Sequence, residues 1–196
     1  MRHIRSYGKI YAIGHRYLQN LFKDEVVVQE KIDGSQFSAG VVKGELHLRS
    51  KRKPLYPETA DKLFKPAVDT FVRLYEEGLL TEGWTYRGEA MCKPKHNTLA
   101  YKRAPEAGVI LFDIDTGEEC YMDSRDLEAE AFNLDLERVP ELFRGTISSA
   151  NDIRHLMREK SCLGGPIEGV VVKNYHRFGI DSRALMGKLV SEQFKE

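Results

Sequence analysis

No run of the sequence is apolar for the roughly 18 residues that a membrane-spanning helix needs. The opening stretch MRHIRSYGKI also lacks the apolar core of a secretion signal. Both absences point to a cytoplasmic protein with no membrane partner. Cysteine is scarce: Cys92, Cys120 and Cys162 are odd in number, lie far apart and form no CxxC pair. That argues for reduced thiols and against a disulfide framework or a thiolate zinc site. At Cys120 and Cys162 the expected state is a small buried apolar residue. The six histidines form no metal-binding set either. Net charge is zero, with 30 basic and 30 acidic residues, so a nucleic-acid partner would have to be held by local clusters. Internal repeats, low-complexity tracts and Pro/Ser-rich linkers are all missing, which reads as one domain over 1–196.

What is present is the balance of a globular chain, 41% hydrophobic and 31% charged. The charges are unevenly placed. Ten acids against two arginines lie between Asp115 and Glu141, while Lys51 to Lys53 and the run Lys93, Lys95, Lys102, Arg103 are basic. Charge runs of this kind are ordinarily solvated faces. Strands are expected at 25–31, 37–42, 45–50, 84–91, 108–115, 118–122 and 167–174, with a last strand or turn-rich segment over 183–194. Lys43-Gly44 and Thr116-Gly117 read as hairpin turns. Helical spacing of apolar residues covers 57–78, with Gly78 as a C-terminal cap and Pro66 as a kink or a break between two helices. Shorter helices are expected at 124–132 and 148–160. Hairpins with a few helices make the class α+β, not a doubly wound βαβ sheet.

One string carries chemistry: Glu30-Lys31-Ile32-Asp33-Gly34-Ser35. A lysine at a strand end can present its amine to a phosphate, and a glycine after it lets the backbone approach a ligand closely. A bare KxDG is more often a surface lysine before a turn. Four further strings follow in order: Arg87-Gly88-Glu89, Val109 to Ile114 (VILFDI), Ile167 to Lys173 (IEGVVVK) and Met186-Gly187-Lys188. Together they resemble the collinear motifs of the covalent nucleotidyltransferases, the superfamily of DNA ligases, RNA ligases and mRNA capping enzymes.

The resemblance implies an adenylation domain of mostly antiparallel sheets flanked by helices, with a nucleotide cleft between sheets. Lys31 would take AMP from ATP as a phosphoamide, with Glu30 beside the adenine edge and Glu89 on the ribose. Phe112 would stack on the purine, although on pattern alone it reads as strand core. Glu168 would serve a Mg²⁺ or Mn²⁺ ion and catalysis, with Asp33 helping to hold metal and water. Lys173 and Lys188 would meet the α-phosphate, and Arg49 the 5′-phosphate side. A free lysine titrates near 10.4, so the cations Lys173, Lys188, Arg49 and the metal would have to favour the neutral amine of Lys31.

Gln36 stands where DNA ligases favour arginine, and Cys92 to Arg103 is similar to a loop of phage-encoded RNA ligases. Both incline the resemblance to the RNA ligase 2-like branch, acting on RNA ends or a nicked duplex as a monomer. The alternatives are a minimal DNA ligase, a capping-type guanylyltransferase and a degenerate module that binds nucleotides or nucleic-acid ends. Two departures stand out. Val190 replaces the second lysine of the last motif, and neither an OB-fold nor a C-terminal helical domain is recognisable. Either a separate protein partner supplies the missing clamp, or the enzyme is a minimal one.

Overall fold

The computed structural model describes residues 4–191, and the chain divides into two compact units that exchange the backbone five times. The first holds residues 4–7, 34–97 and 103–138; the second holds 8–33, 98–102 and 139–191. The single span 1–196 therefore contains two units interleaved in sequence, and interleaving leaves no compositional boundary to read.

The first unit is a six-stranded sheet in the order β5-β4-β3-β6-β7-β8. Its strands are β3 (Ser35–Val42), β4 (Glu45–Ser50), β5 (Pro54–Leu55), β6 (Thr85–Ala90), β7 (Val109–Asp115) and β8 (Glu137–Arg138). Helices α1 (Lys65–Glu76) and α2 (Ser124–Asn133) close one face over Phe37, Ala39, Tyr86, Leu111 and Ile114, with Phe71 of α1 packed among them. Lys43 and Gly44 take φ of 55° and 74°, as the expected two-residue hairpin requires. Pro66 opens α1 and does not kink it, because a proline in the first turn removes only an N–H that has no helical partner. The strand expected at 118–122 does not form. Glu118 and Glu119 both adopt left-handed φ, which leaves an isolated Asp115–Tyr121 bridge.

The second unit is a five-stranded sheet in the order β1-β11-β10-β2-β9. It comprises β1 (Tyr11–Ala12), β2 (Val26–Lys31), β9 (Glu141–Gly145), β10 (Gly169–Phe178) and β11 (Ala184–Val190). Strand β9, which begins where the acidic stretch ends, was not expected. The helix expected at 148–160 is a 3₁₀ helix, Ala150–Arg158, opened by a Ser149–Asp152 capping box. Val26, Val28, Ile153, Ile167, Val170 and Val172 form this unit's core. Positions 192–194 of the last expected segment lie outside the described residues. Among those residues no helix is long and apolar enough to cross a membrane. Cys120 and Cys162 are exposed, not buried as expected, as is Cys92. The α+β class holds.

Candidate active site

Strand β2 has two chemically distinct faces. Val26 and Val28 point into the core, and Glu30 shares their face. Lys31 and Gln29 take the other, because side chains alternate along a strand. The register sets Lys31 opposite Gly169 and Gln29 opposite Val171, with Lys188 beyond Val171, while Lys173 faces Val27. Lys31, Lys173 and Lys188 therefore share one face of the five-stranded sheet. Gly169 is obligatory there, since a Cβ would sit 2.3 Å from the Leu189 carbonyl oxygen.

Glu168 precedes β10, and its backbone carbonyl accepts from Ser191 N–H at 3.0 Å. Lys31 Nζ donates to Glu168 Oε2 at 2.7 Å, joining residues 137 positions apart. Their side chains are 13% exposed for Glu168 and 23% for Lys31. Burial raises the Glu168 carboxyl above its ordinary value, outweighing the opposing pull of Lys31; the Asp33 charge adds to the rise and Lys188 opposes it. What meets the Lys31 amine directly is thus a carboxylate, while Lys173 and Lys188 share its sheet face. A buried acid at a strand mouth needs such a partner.

Glu30 is 2% exposed, and its Oε2 accepts from the Cys162 amide at 3.0 Å. Among the described residues its Oε1 is buried with no hydrogen-bond partner, as is Gln29 Oε1. Such orphans are rare and call for a ligand or water. Asp33 differs from expectation: its Oδ2 accepts from the Thr98 and Leu99 amides, both at 2.8 Å. Tyr101 Oη accepts from Asp33 N–H at 2.8 Å. Its phenol is pushed upward by burial and by the charges of Glu30, Glu168 and Asp33. Sequence reasoning missed Tyr101; its signal was the apolar Leu99 and Tyr101 alternating inside a basic loop.

The first unit holds the other expected residues. Glu89 lies opposite Gln36, and a Cβ on Gly34 would stand 2.8 Å from Glu89 Cβ, so the glycine permits that approach. Arg49, Ser38, Arg87 and Asp113 form one row across β4, β3, β6 and β7. Arg49 donates to the carbonyls of Ile4 and Ser50, both at 3.1 Å. Phe112 falls in the register shift of β7 against β6, where a bulge re-aims a side chain. Phe112 is 9% exposed, and its ring packs on Tyr7 with centroids 5.0 Å apart. Arg87, singled out only as part of a motif, is fully buried. It donates to Arg5 O at 3.0 Å and Ser38 Oγ at 3.3 Å, and pairs with Asp115 at 3.4 Å. Among the described residues, no three His, Cys, Asp or Glu side chains gather into a metal set.

This geometry links the first and fourth sequence motifs through one ion pair, and the sequence profile of RNA ligases matches residues 24–190. The chain belongs to the RNA ligase family. Among solved structures, the Naegleria gruberi RNA ligase with PPi superposes with a TM-score of 0.69 at 15% identity, over 97% of this chain and 57% of that one. A variant of that RNA ligase with ATP and Mn gives 0.68 at 14% identity, over 97% and 57%. Another variant, with AMP and Mn, gives 0.67 at 14%, over 96% and 56%. At such identities the likeness establishes the shared fold. The chain spans a little over half the length of these ligase chains. No curated protein sequence matches it.

Proposed function

We propose that this chain is the adenylyltransferase part of an ATP-dependent RNA ligase, which joins 3′-OH and 5′-phosphate ends through Lys31-linked AMP and an adenylated 5′ end. A role in RNA repair in the cytoplasm follows from that reading. The observation that carries it is the 2.7 Å pair between Lys31 Nζ and Glu168 Oε2 at the mouth of β2 and β10.

The chemistry runs as follows. Lys31 Nζ, oriented by Glu168, loses a proton through the carboxylate to solvent and forms an N–P bond to the α-phosphorus of ATP. The bond from that phosphorus to the bridging oxygen breaks, and pyrophosphate leaves with the electron pair. Charge on the transferring group is met by Lys173 and Lys188, on the same sheet face as Lys31. The orphan Oε1 of Glu30 suits the exocyclic amine of adenine, a donor that guanine does not offer at the same position. A Mg²⁺ or Mn²⁺ ion would be held by Glu168 together with phosphate oxygens and water, the ligand set Mg²⁺ prefers. When bound it neutralises phosphate charge. The desolvated Glu168 carboxylate fits a cation, and a site with one carboxylate is ordinary for a metal that arrives with a nucleotide.

Intact mass after incubation with ATP and Mg²⁺ tests the reading. The expected result is one acid-labile AMP on the wild type and none on Lys31→Ala. Adenylation surviving on Lys31→Ala overturns the assignment, and guanylylation with GTP in its place overturns the ATP reading. A joining assay on nicked duplexes with RNA or DNA on either side of the nick then tests the substrate.

A further inference from the structure

We infer that a cavity in the second unit, beside Glu168, binds a phosphodiester stretch of the nucleic-acid strand being joined. The inference rests on the ligase reading and extends it to the strand. The cavity measures about 410 Å³, within the range of ligand sites, and Lys102, Arg158, Glu159, Lys160, Ile167 and Ser191 line it. Three cations against one acid make it an anion site. Lys102, Arg158 and Lys160 have no ion pair among the described residues, whereas Arg103, Arg138, Arg144 and Arg177 all pair with carboxylates.

The walls are fixed by local bonding. Arg158 ends the capped 3₁₀ helix, and Lys160 forms a bridge with Pro166. Between them and β10 the chain turns tightly, with Ser161 N–H bonded to Gly165 O and Gly164 N–H to Ser161 O. Lys102 N–H reaches Leu163 O and Gly164 O, and the Lys102 stem lies across Gly164, within 3.0 Å of where a Cβ would stand. The Lys102 backbone and stem are thus anchored while its ammonium remains available.

Placement connects the cavity to the chemistry. Ile167 adjoins Glu168 in sequence, and the Ser191 amide is bonded to the Glu168 carbonyl. Two sources could bring phosphate here, the triphosphate of ATP and the backbone of a strand. The sheet face of Lys31, Lys173 and Lys188 already serves the nucleotide. Cations on long stems around a hollow are what a backbone-tracking groove needs.

The test uses the full chain carrying Arg158→Glu with Lys160→Glu. It measures the affinity for a 5′-phosphorylated RNA oligonucleotide at rising salt, and the KM for ATP in self-adenylylation. RNA affinity should fall roughly tenfold or more at low salt, and the log–log salt slope should become shallower by about 1.4, two single-strand contacts at about 0.7 each. The KM for ATP should not move. Unchanged RNA affinity and slope overturn the inference, and so does a raised KM for ATP with RNA binding intact, which would assign the cavity to the triphosphate. Should the double variant melt early, Arg158→Gln with Lys160→Gln must show the same slope change. A wild type that binds RNA through this cavity but never adenylylates would overturn the ligase reading and leave the cavity assignment standing.

Discussion

Glu168→Gln separates a catalytic carboxylate from a structural one. The substitution keeps volume and an acceptor oxygen while removing the charge. A hydrogen bond to a charged group contributes about 1.5–3 kcal/mol, and a neutral acceptor retains roughly half of that. The loss is therefore on the order of 1 kcal/mol. Against it stands relief from desolvation, the largest influence on this carboxyl and one that outweighs Lys31. The sign follows from linkage. The folded carboxyl titrates above its ordinary value of 4.5, so between that value and the folded one the native state binds more protons than the unfolded state. Wild-type stability then falls as pH rises through that window, and the full penalty remains above it. As pH falls below that window the carboxyl becomes neutral in both states, and the melting temperatures of the two proteins should converge. At pH 8 the Gln variant should melt at or above the wild-type temperature, because relieved desolvation outweighs the lost bond to the charged group, a loss that alone corresponds to about 2–4 °C in a chain of this size. Adenylate formation should be abolished throughout. Differential scanning fluorimetry across pH, paired with intact mass, checks both halves. A variant that melts more than about 4 °C lower at pH 8, yet adenylylates in its folded fraction, would refute the reasoning.

Three further outcomes are expected. Arg87→Met should lower stability by about 3–5 kcal/mol, because it strands buried Asp115 and removes donors from Ser38 and the Arg5 carbonyl; Asp115→Asn in the same chain should recover part of the loss in thermal melts. Asp33→Asn should cost about 1–2 kcal/mol locally, since Oδ2 gives up its charge toward two amides. Hydrogen exchange should quicken at Thr98 and Leu99, and unchanged protection there would count against the bonding described. Glu30→Gln should weaken ATP binding by roughly 10- to 100-fold while leaving the fold intact, because a donor then stands where Oε1 awaits one. Isothermal titration with ATP measures it.

Periodicity made the strands legible where composition and burial agree. The Val-rich β2 and β10 and the apolar β7 are buried along nearly their whole sheet-paired lengths, and their apolar runs announced them. β9 was hidden because its side chains are half-buried or exposed and its neighbourhood is acidic. The false strand at 118–122 had the right residue types, but two consecutive left-handed residues are a backbone property that no side-chain pattern reports. Pro66 was legible as a helix breaker and ambiguous as a helix starter, since its missing N–H fits both roles. Exposure decided the cysteines: Cys120 and Cys162 sit in turns, which the apolar character of the residue does not reveal.

At the site, sequence order located the lysines and acids, while only the structure assigned their partners. Lys31 was legible because motif order singled it out. That its amine meets Glu168 depends on β2 and β10 pairing antiparallel with Lys31 opposite Gly169, a register fixed by burial of Val26, Val28, Val170 and Val172 on the other face. The core thereby sets the chemistry. A one-residue slip of β2 would turn Lys31 inward and bring Glu30 out, so the apolar face enforces the placement of the nucleophile. The same constraint explains why Glu30 and Lys31, adjacent in sequence, divide the work: one is buried with an acceptor unfilled among the described residues, the other partly exposed and held by Glu168. Val28→Lys, which puts a charge on the core face, should therefore abolish adenylylation together with folding. Val27→Thr, on the opposite face, should leave the register and the Lys31–Glu168 pair in place, with adenylylation retained. Loss of adenylylation in a folded Val27→Thr protein would show that the lysine face depends on more than register.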